Sequence, residues 1–488
     1  MVLTWMLACP LVGMLAILCL PKRATALIRN LALLSTGFAL ILSLQLLGAF
    51  QPQAGIQFQE RLSWIPQLNI HYQLGLDGIS LPMVLLTTLL SFLACIGSAG
   101  IRERQKEYYA LYLLLEIGML GTFVALDLFL FYIFWEIVLV PMYFIIGVWG
   151  GGRREYSAFK FFVYTLAGSL FMLLAILALY FSTDPHTFDL LALRQAAPLL
   201  PVALQQLLFL GFFLGFAIKV PVFPFHTWLP DAHVDAPTPG SVLLAGVLLK
   251  MGGYGFFRIS YPLLPAAAQH FAWAMALLGM INIVYGAFVA LAQTDFKRLV
   301  AYSSVSHMGF VLLGLASLTP EGLNGAMLQM FSHGIITGAM FLLVGALYER
   351  THTRDLGAFG GLGARLPVYG GFLVFFSLGS LGLPALSGFV AEFLSLAGAF
   401  QVQALQALTM ISVIGIVIAA AYNLKVIRAV LLGPLNAKWQ QLPDLNPLEK
   451  ISLTPLLLLT LAVGAYPLLI LGLQDPALRA LIQHVTGH

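Results

Sequence analysis

Fourteen apolar runs, each long enough to cross a lipid bilayer, leave little of this 488-residue chain for any other kind of fold. A spanning helix needs roughly 20 apolar residues, and it satisfies its own backbone hydrogen bonds where no water can. Split at charges and turn residues, the runs cover 2–20, 27–49, 78–99, 108–126, 128–149, 157–181, 204–225, 237–258, 270–292, 299–316, 323–348, 368–396, 406–431 and 452–473. Only 9% of the residues are charged, against about 25% in a soluble domain. The chain therefore reads as an all-α polytopic membrane protein. Met1–Leu20 is followed, not preceded, by Lys22 and Arg23, so it reads as a retained first span and not as a secretory signal.

The loops test the count. Numbered from the first helix onward, odd loops hold 18 of the 24 Lys and Arg residues, among them Lys22, Arg102, Arg153, Lys297, Arg350 and Lys450. The opposite side holds 4, namely Arg61, Arg194, Arg258 and Arg479, and Lys219 and Lys250 lie within spans. This follows the positive-inside rule and puts both termini on the non-cytoplasmic side. The net charge of +4 sits in short loops, so it sets orientation and does not suggest nucleic acid. Cys9, Cys19 and Cys95 lie in apolar runs without CxxC spacing, which excludes the usual iron–sulfur and zinc clusters. No P-loop and no strand-embedded GxGxxG is present, so nucleotide binding has no visible seat, and no cofactor or metal is expected in the chain.

Two runs are interrupted. In the seventh, Pro221 and Pro224 follow Lys219; in the twelfth, Gly379-Ser380-Leu381-Gly382-Leu383-Pro384 precedes Ser387-Gly388. Broken helices at membrane depth line cavities and recur at matching places in repeats. An offset of five helices is odd, so helices 4–8 and 9–13 would form an inverted pair of five-helix repeats. The division expected is 1–107 for helices 1–3, 108–258 and 270–431 for two half-channel repeats, and 432–488 for helix 14 and a tail. The alternative is two ordinary proline kinks, against which stands a charge beside each break.

Each charge near the bilayer centre costs roughly 2.5–3.5 kcal/mol on insertion scales and needs a reason. Glu136, Lys219, Lys250 and Glu392 are such charges, two acidic and two basic. A Glu136–Lys219 pair would be a switch, because each charge stabilises the other only while the partner keeps its own protonation state. It could equally be a static pair that holds helices together. His307 and His333 lie in apolar helices beside hydroxyl residues; an imidazole can take a proton on one nitrogen and release it from the other, or it can be an ordinary hydrogen-bonded core residue. His226-Thr227-Trp228-Leu229-Pro230-Asp231-Ala232-His233-Val234-Asp235 could hold a metal, but its prolines and tryptophan suit a cap on a broken helix. Glu116 and Asp127 are secondary relay positions or helix-end charges. Asp77 reads as a helix-start cap, and Lys297 with Arg298 as headgroup anchors.

At these residues the sequence resembles the antiporter-like subunits of respiratory complex I. The stretches that carry it are His226–His233, Ser241–Gly255 and Thr294–Gly309, and the likeness covers nearly the whole chain. Within the family it is most similar to the M type, the counterpart of mitochondrial chain 4. Phe134-Trp135-Glu136 with Pro141-Met142-Tyr143 matches that type's fifth helix. Gly388-Phe389-Val390-Ala391-Glu392-Phe393 has a glutamate where the L type has lysine, and the L type's long lateral helix has no counterpart after helix fourteen. The resemblance implies a proton path through Glu136 and Lys219, then Lys250, His307 and His333, to Glu392. It also implies a non-redox subunit of a proton-pumping NAD(P)H- or ferredoxin–quinone oxidoreductase, driven by quinone reduction elsewhere and assembled with L- and N-type siblings, in a bacterial inner membrane. The alternative is a subunit of a multi-chain sodium/proton antiporter or a membrane-bound hydrogenase. A self-sufficient solute transporter would need a clustered substrate pocket where this sequence has a line of charges. A pure scaffold would leave four buried charges unexplained.

Overall fold

The computed structural model describes residues 1–487. Thirteen helices in it are long and apolar enough to cross a membrane. One more crossing is made in two shorter pieces, Pro367–Ser380 and Ser387–Gln401, which completes the fourteen. The spans are numbered here in chain order, from Val2–Cys19 to Pro447–Ala465.

Span eleven, Pro320–Thr351, is buried along its apolar window, and spans eight (Thr238–Leu263) and ten (Phe296–Ser317) nearly so. A helix that is apolar all round belongs in the middle of a bundle, and these three carry His333, Lys250 and His307. Spans one, two, thirteen and fourteen form the rim. Their outward side chains, such as Trp5, Phe38 and Val417, are exposed, as suits a surface whose solvent is lipid.

Both breaks stand where the prolines predict. Span seven runs Val202–Lys219, turns, and resumes as Trp228–Asp235. Its freed backbone groups find partners: the Phe223 N–H donates to Asn282 Oδ1 at 2.8 Å, and the Asn282 amide donates to the Pro221 carbonyl at 3.1 Å. Asn282 lies on span nine, Pro265–Ala292, so the second half of the molecule holds open the break in the first. In span twelve, Gly382 takes φ +81, a conformation cheap only for glycine. Gly388 lets the two pieces touch, since a Cβ there would lie 2.3 Å from the Gly379 carbonyl oxygen.

A joint recurs in both halves. Asp127, before span five, bridges Asp189, before span seven, in antiparallel fashion; Asp295, before span ten, bridges Asp355, before span twelve. The hydrogen bonds match one for one: Leu128 N–H to Phe188 O and Leu190 N–H to Leu126 O in one joint, Phe296 N–H to Arg354 O and Leu356 N–H to Thr294 O in the other. Each aspartate also caps backbone N–H groups that follow it. The joints lie five spans apart and so on opposite faces, the register an inverted five-helix repeat requires.

Two elements were not foreseen. Residues 50–77, expected as loop, contain a β-hairpin of Gln57–Ile65 and Ile70–Leu76 around Asn69. Its Glu60 accepts from the Leu3 and Thr4 N–H groups at 2.9 and 3.1 Å, capping the first span. The expected tail is a second surprise. Span fourteen ends at Ala465 and a further helix, Leu468–Thr486, follows Pro467. It lies across the hairpin's face of the bundle, where Gln474 donates to the Asn324 carbonyl at 2.9 Å and the His484 ring meets the Pro262 carbonyl at 2.8 Å.

Candidate functional site

Span eight is not a regular α-helix. Leu244–Leu248 and Phe256–Ser260 are π turns, the local widening that often marks functional sites. The first turn swings the Ala245 carbonyl toward the side chain of Lys250, whose ammonium donates to it. The same ammonium lies 2.6 Å from His333 Nδ1. An ammonium can only donate, so with Lys250 charged His333 Nδ1 is the acceptor and the ring proton sits on Nε2. That Nε2 is buried without a partner among the described residues.

The next ring is close. The His333 and His307 centroids lie 5.5 Å apart. His307 is held by both pieces of the broken span twelve: Nδ1 is 3.0 Å from Glu392 Oε1, and Nε2 is 3.2 Å from Ser380 Oγ. Ser380 ends the first piece and Glu392 lies in the second, so an unbroken helix could not present both to one imidazole. Between the rings, Ser332, Ser380, Gly388 and Glu392 line a cavity with about 10 Å³ for the centre of a water molecule, which is about one water. The sequence-selected residues Lys250, His333, His307 and Glu392 thus form one buried row.

Lys219 and Glu136 interact electrostatically without a salt bridge. Lys219 ends the first piece of span seven, buried, with its ammonium 5.0 Å from the centre of the Trp135 ring. Among the described residues no ion pair within 4.0 Å joins it to Glu136; the two interact electrostatically at longer range. The ammonium's close contact is a cation–π one to Trp135, the residue before Glu136. Span seven still reaches the Lys250 layer: a Cβ on Gly252 would lie 2.7 Å from the Phe216 carbonyl oxygen. Pro221, Pro224 and Pro384 all fall within the breaks.

The remaining assignments divide. Asp127 is a cap, accepting from the Phe129 and Leu130 N–H groups at 2.9 and 3.1 Å and from the His71 N–H at 3.1 Å. Asp77 caps as expected, accepting from the Ile79 and Ser80 N–H groups. Glu116 is fully buried, and neither of its carboxyl oxygens has a partner among the described residues; it lies on span four, Gln105–Val124. Lys297 is no headgroup anchor. It is buried and donates to the Val234 and Ala236 carbonyls at 3.4 and 2.5 Å, closing the C-terminus of the second piece of span seven as a cation there should. It also lines a cavity of about 330 Å³ with Asp235, Thr238, Trp149 and Arg354.

His233 was missed as an individual residue. The stretch around it is not a capping loop but the second helical piece of span seven, Trp228–Asp235, in which Asp231 gathers Lys160, Arg298 and Arg153 and Asp235 accepts from Ser157 at 2.6 Å. His233 itself is buried, stacked on Phe341 at 4.7 Å, with neither ring nitrogen partnered among the described residues. It feels the charges of both Lys297 and Lys250, so it lies between the cavity and the row.

The family described as NADH:quinone oxidoreductase/Mrp antiporter, transmembrane, matches residues 125–419 of the sequence. The chain belongs to this family. The matched stretch contains both breaks and all of Glu136, Lys219, Lys250, His307, His333 and Glu392. Over 467 residues the chain is 47% identical to NADH-quinone oxidoreductase subunit M of Rhodobacter capsulatus, covering 93% of this chain and 90% of that protein. It is 41% identical over 491 residues to NAD(P)H-quinone oxidoreductase chain 4-1 of Synechocystis, covering 99% and 93%. Among solved structures it is similar to a chain of respiratory complex I from Thermus thermophilus with bound NADH, with a TM-score of 0.91 and 33% identity over 99% of this chain and 100% of that one. For a membrane chain of the NADH:quinone oxidoreductase/Mrp antiporter family, a row of ionisable side chains through the middle of the bundle is the feature that bears on function.

Proposed function

We propose that the chain is the M-type, proton-translocating subunit of a complex I-type quinone oxidoreductase, carrying protons through Glu136 with Lys219, then Lys250, His333, His307 and Glu392. The observation that carries this reading is the contact of Lys250 with His333 and of His307 with Glu392, the two pairs separated by space for about one water. A proton can pass between groups at hydrogen-bond distance, directly or through one water. The relatives named subunit M and chain 4 support the choice of complex I over a sodium/proton antiporter, as does Glu392 in place of lysine. The subunit holds no redox centre in this reading, so quinone reduction elsewhere in the complex drives the row, and L- and N-type siblings are its neighbours. Residues 108–258 and 270–431 serve as the two half-channels. His233 and Lys297 mark the approach from the face of the odd loops, which their positive charge assigns to the cytoplasm of a bacterial inner membrane.

Lys250→Met in the assembled complex tests the reading. In inverted vesicles, dye-reported proton uptake and quinone-reductase turnover should both fall. Normal uptake and turnover would make Lys250 a structural residue and overturn the path.

A further inference from the structure

Lys250, Tyr254 and Arg258 recur every fourth residue of span eight and so share a face. Arg258 lies about 12 Å beyond Lys250, toward the hairpin face, at about 1.5 Å per residue. Beyond it an open depression of about 620 Å³ is lined by Leu191, Arg194, Gln195, Pro198 and His484. A proton on Lys250 therefore has two ways to go: sideways to His333, or outward along its own helix.

The outward way is filled by a closed cluster. The Arg258 guanidinium pairs with Asp77, donates to Ser80 Oγ at 3.0 Å, and donates through Nε to the Tyr254 hydroxyl at 3.0 Å. The Tyr254 hydroxyl donates to the Phe123 carbonyl at 2.9 Å, so the Ser80 hydroxyl, 3.0 Å away, donates to Tyr254. Burial works against ionisation of Asp77, but the Arg258 guanidinium and the Ser80 and Ile79 N–H groups bring its pKa below the ordinary carboxylate value. Arg194 adds a second guanidinium close enough to feel both Arg258 and Asp77.

We propose that the Arg258–Asp77–Tyr254–Ser80 cluster is a proton barrier, which closes the outward route from Lys250 and leaves the sideways step to His333 as the open one. The inference rests on the reading of Lys250 as a proton carrier. A guanidinium does not release its proton in a protein, so Arg258 cannot hand one on, and its charge opposes one that approaches. Fixed arginines exclude protons from water pores on the same ground. The hydroxyls add a second block. Tyr254 has committed its proton to a carbonyl that has none to pass on, and Ser80 has committed its own to Tyr254. Asp77 is occupied by the guanidinium and two amides.

Passive leak is the readout, because a merely structural role would not alter it in an assembled complex. With the quinone reaction inhibited, a pH gradient is imposed on vesicles holding the complex and its decay is followed with a dye. In Arg258→Gln the decay should quicken roughly tenfold, the factor one unit charge about 12 Å away implies at an effective dielectric of about 20. Asp77→Asn/Arg258→Gln leaves no unpaired charge at either position and should leak too. Adding Lys250→Met to either leaky variant should restore the wild-type decay. The barrier is overturned if both glutamine variants assemble and hold the gradient like wild type, or if the leak survives Lys250→Met. Normal pumping by Lys250→Met alone would overturn instead the reading of Lys250 on which the barrier rests.

Discussion

At the scale of single residues, the row works because each member lies at hydrogen-bond distance from another, Lys250 from His333 and His307 from Glu392. His307 touches Glu392 and Ser380 at once, so replacing it with a residue that cannot take up a proton cuts the row in the middle. His307→Leu should lower coupled proton uptake by about tenfold or more, equivalent to about 1.4 kcal/mol of added barrier, with the complex still assembled; uptake in inverted vesicles measures it. Lys219→Ala is a separate case, because its ammonium rests on Trp135 and not on a carboxylate. If the lysine carries protons, pumping and turnover fall together, and normal values of both would leave it as packing. The row members were legible because a charge or imidazole in an apolar run stands out. The cation–π contact of Lys219 to Trp135 was not, since neighbours in sequence do not say which of them an ammonium will rest on. Lys297 and His233 were hidden for a related reason: a residue at a helix end looks exposed until the next helix piece is known to fold over it.

At the scale of elements, the broken helices are what bring the row together, and each break is held by a contact that can be removed. Gly388 allows the pieces of span twelve to close, with the Gly379 carbonyl only 2.3 Å from where a Cβ would stand. Gly388→Ala must push the pieces apart, which should destabilise the protein by about 1–3 kcal/mol, as overpacking does. It should also loosen Glu392 from His307, so thermal unfolding in detergent and proton uptake should both drop. Asn282→Leu strands the Phe223 N–H and the Pro221 carbonyl in the break of span seven. Each stranded group costs about 1–3 kcal/mol, so this variant should lose stability by the same assay. The breaks were readable from their prolines and glycines. The π turns of span eight were not, because no residue type announces an i→i+5 bond and only packing against neighbouring helices selects it.

At the scale of the whole molecule, the two faces of the bundle are built differently. One carries the hairpin, the helix Leu468–Thr486 and the cap that Glu60 places on the first span. The other carries charge, including the Lys22–Glu107 pair at 3.0 Å and the three cations around Asp231. The span count and the charge split were legible in the placement of the apolar runs and of the charges between them. The hairpin and the last helix were not, because the hairpin lies in a polar stretch between spans and the helix Leu468–Thr486 continues the apolar run of span fourteen past Pro467, so only its folding back across the bundle separates it. The charge split predicts that the charged face meets the cytoplasm, and labelling can decide it. With the exposed Cys19 replaced by serine, Arg102→Cys should react with a membrane-impermeant maleimide in inverted vesicles, and Gln59→Cys in the hairpin should react only after the vesicles are opened. The reverse pattern would put the hairpin in the cytoplasm. It would also turn the 330 Å³ cavity beside Lys297 and His233 from the entry side of the row into its exit side.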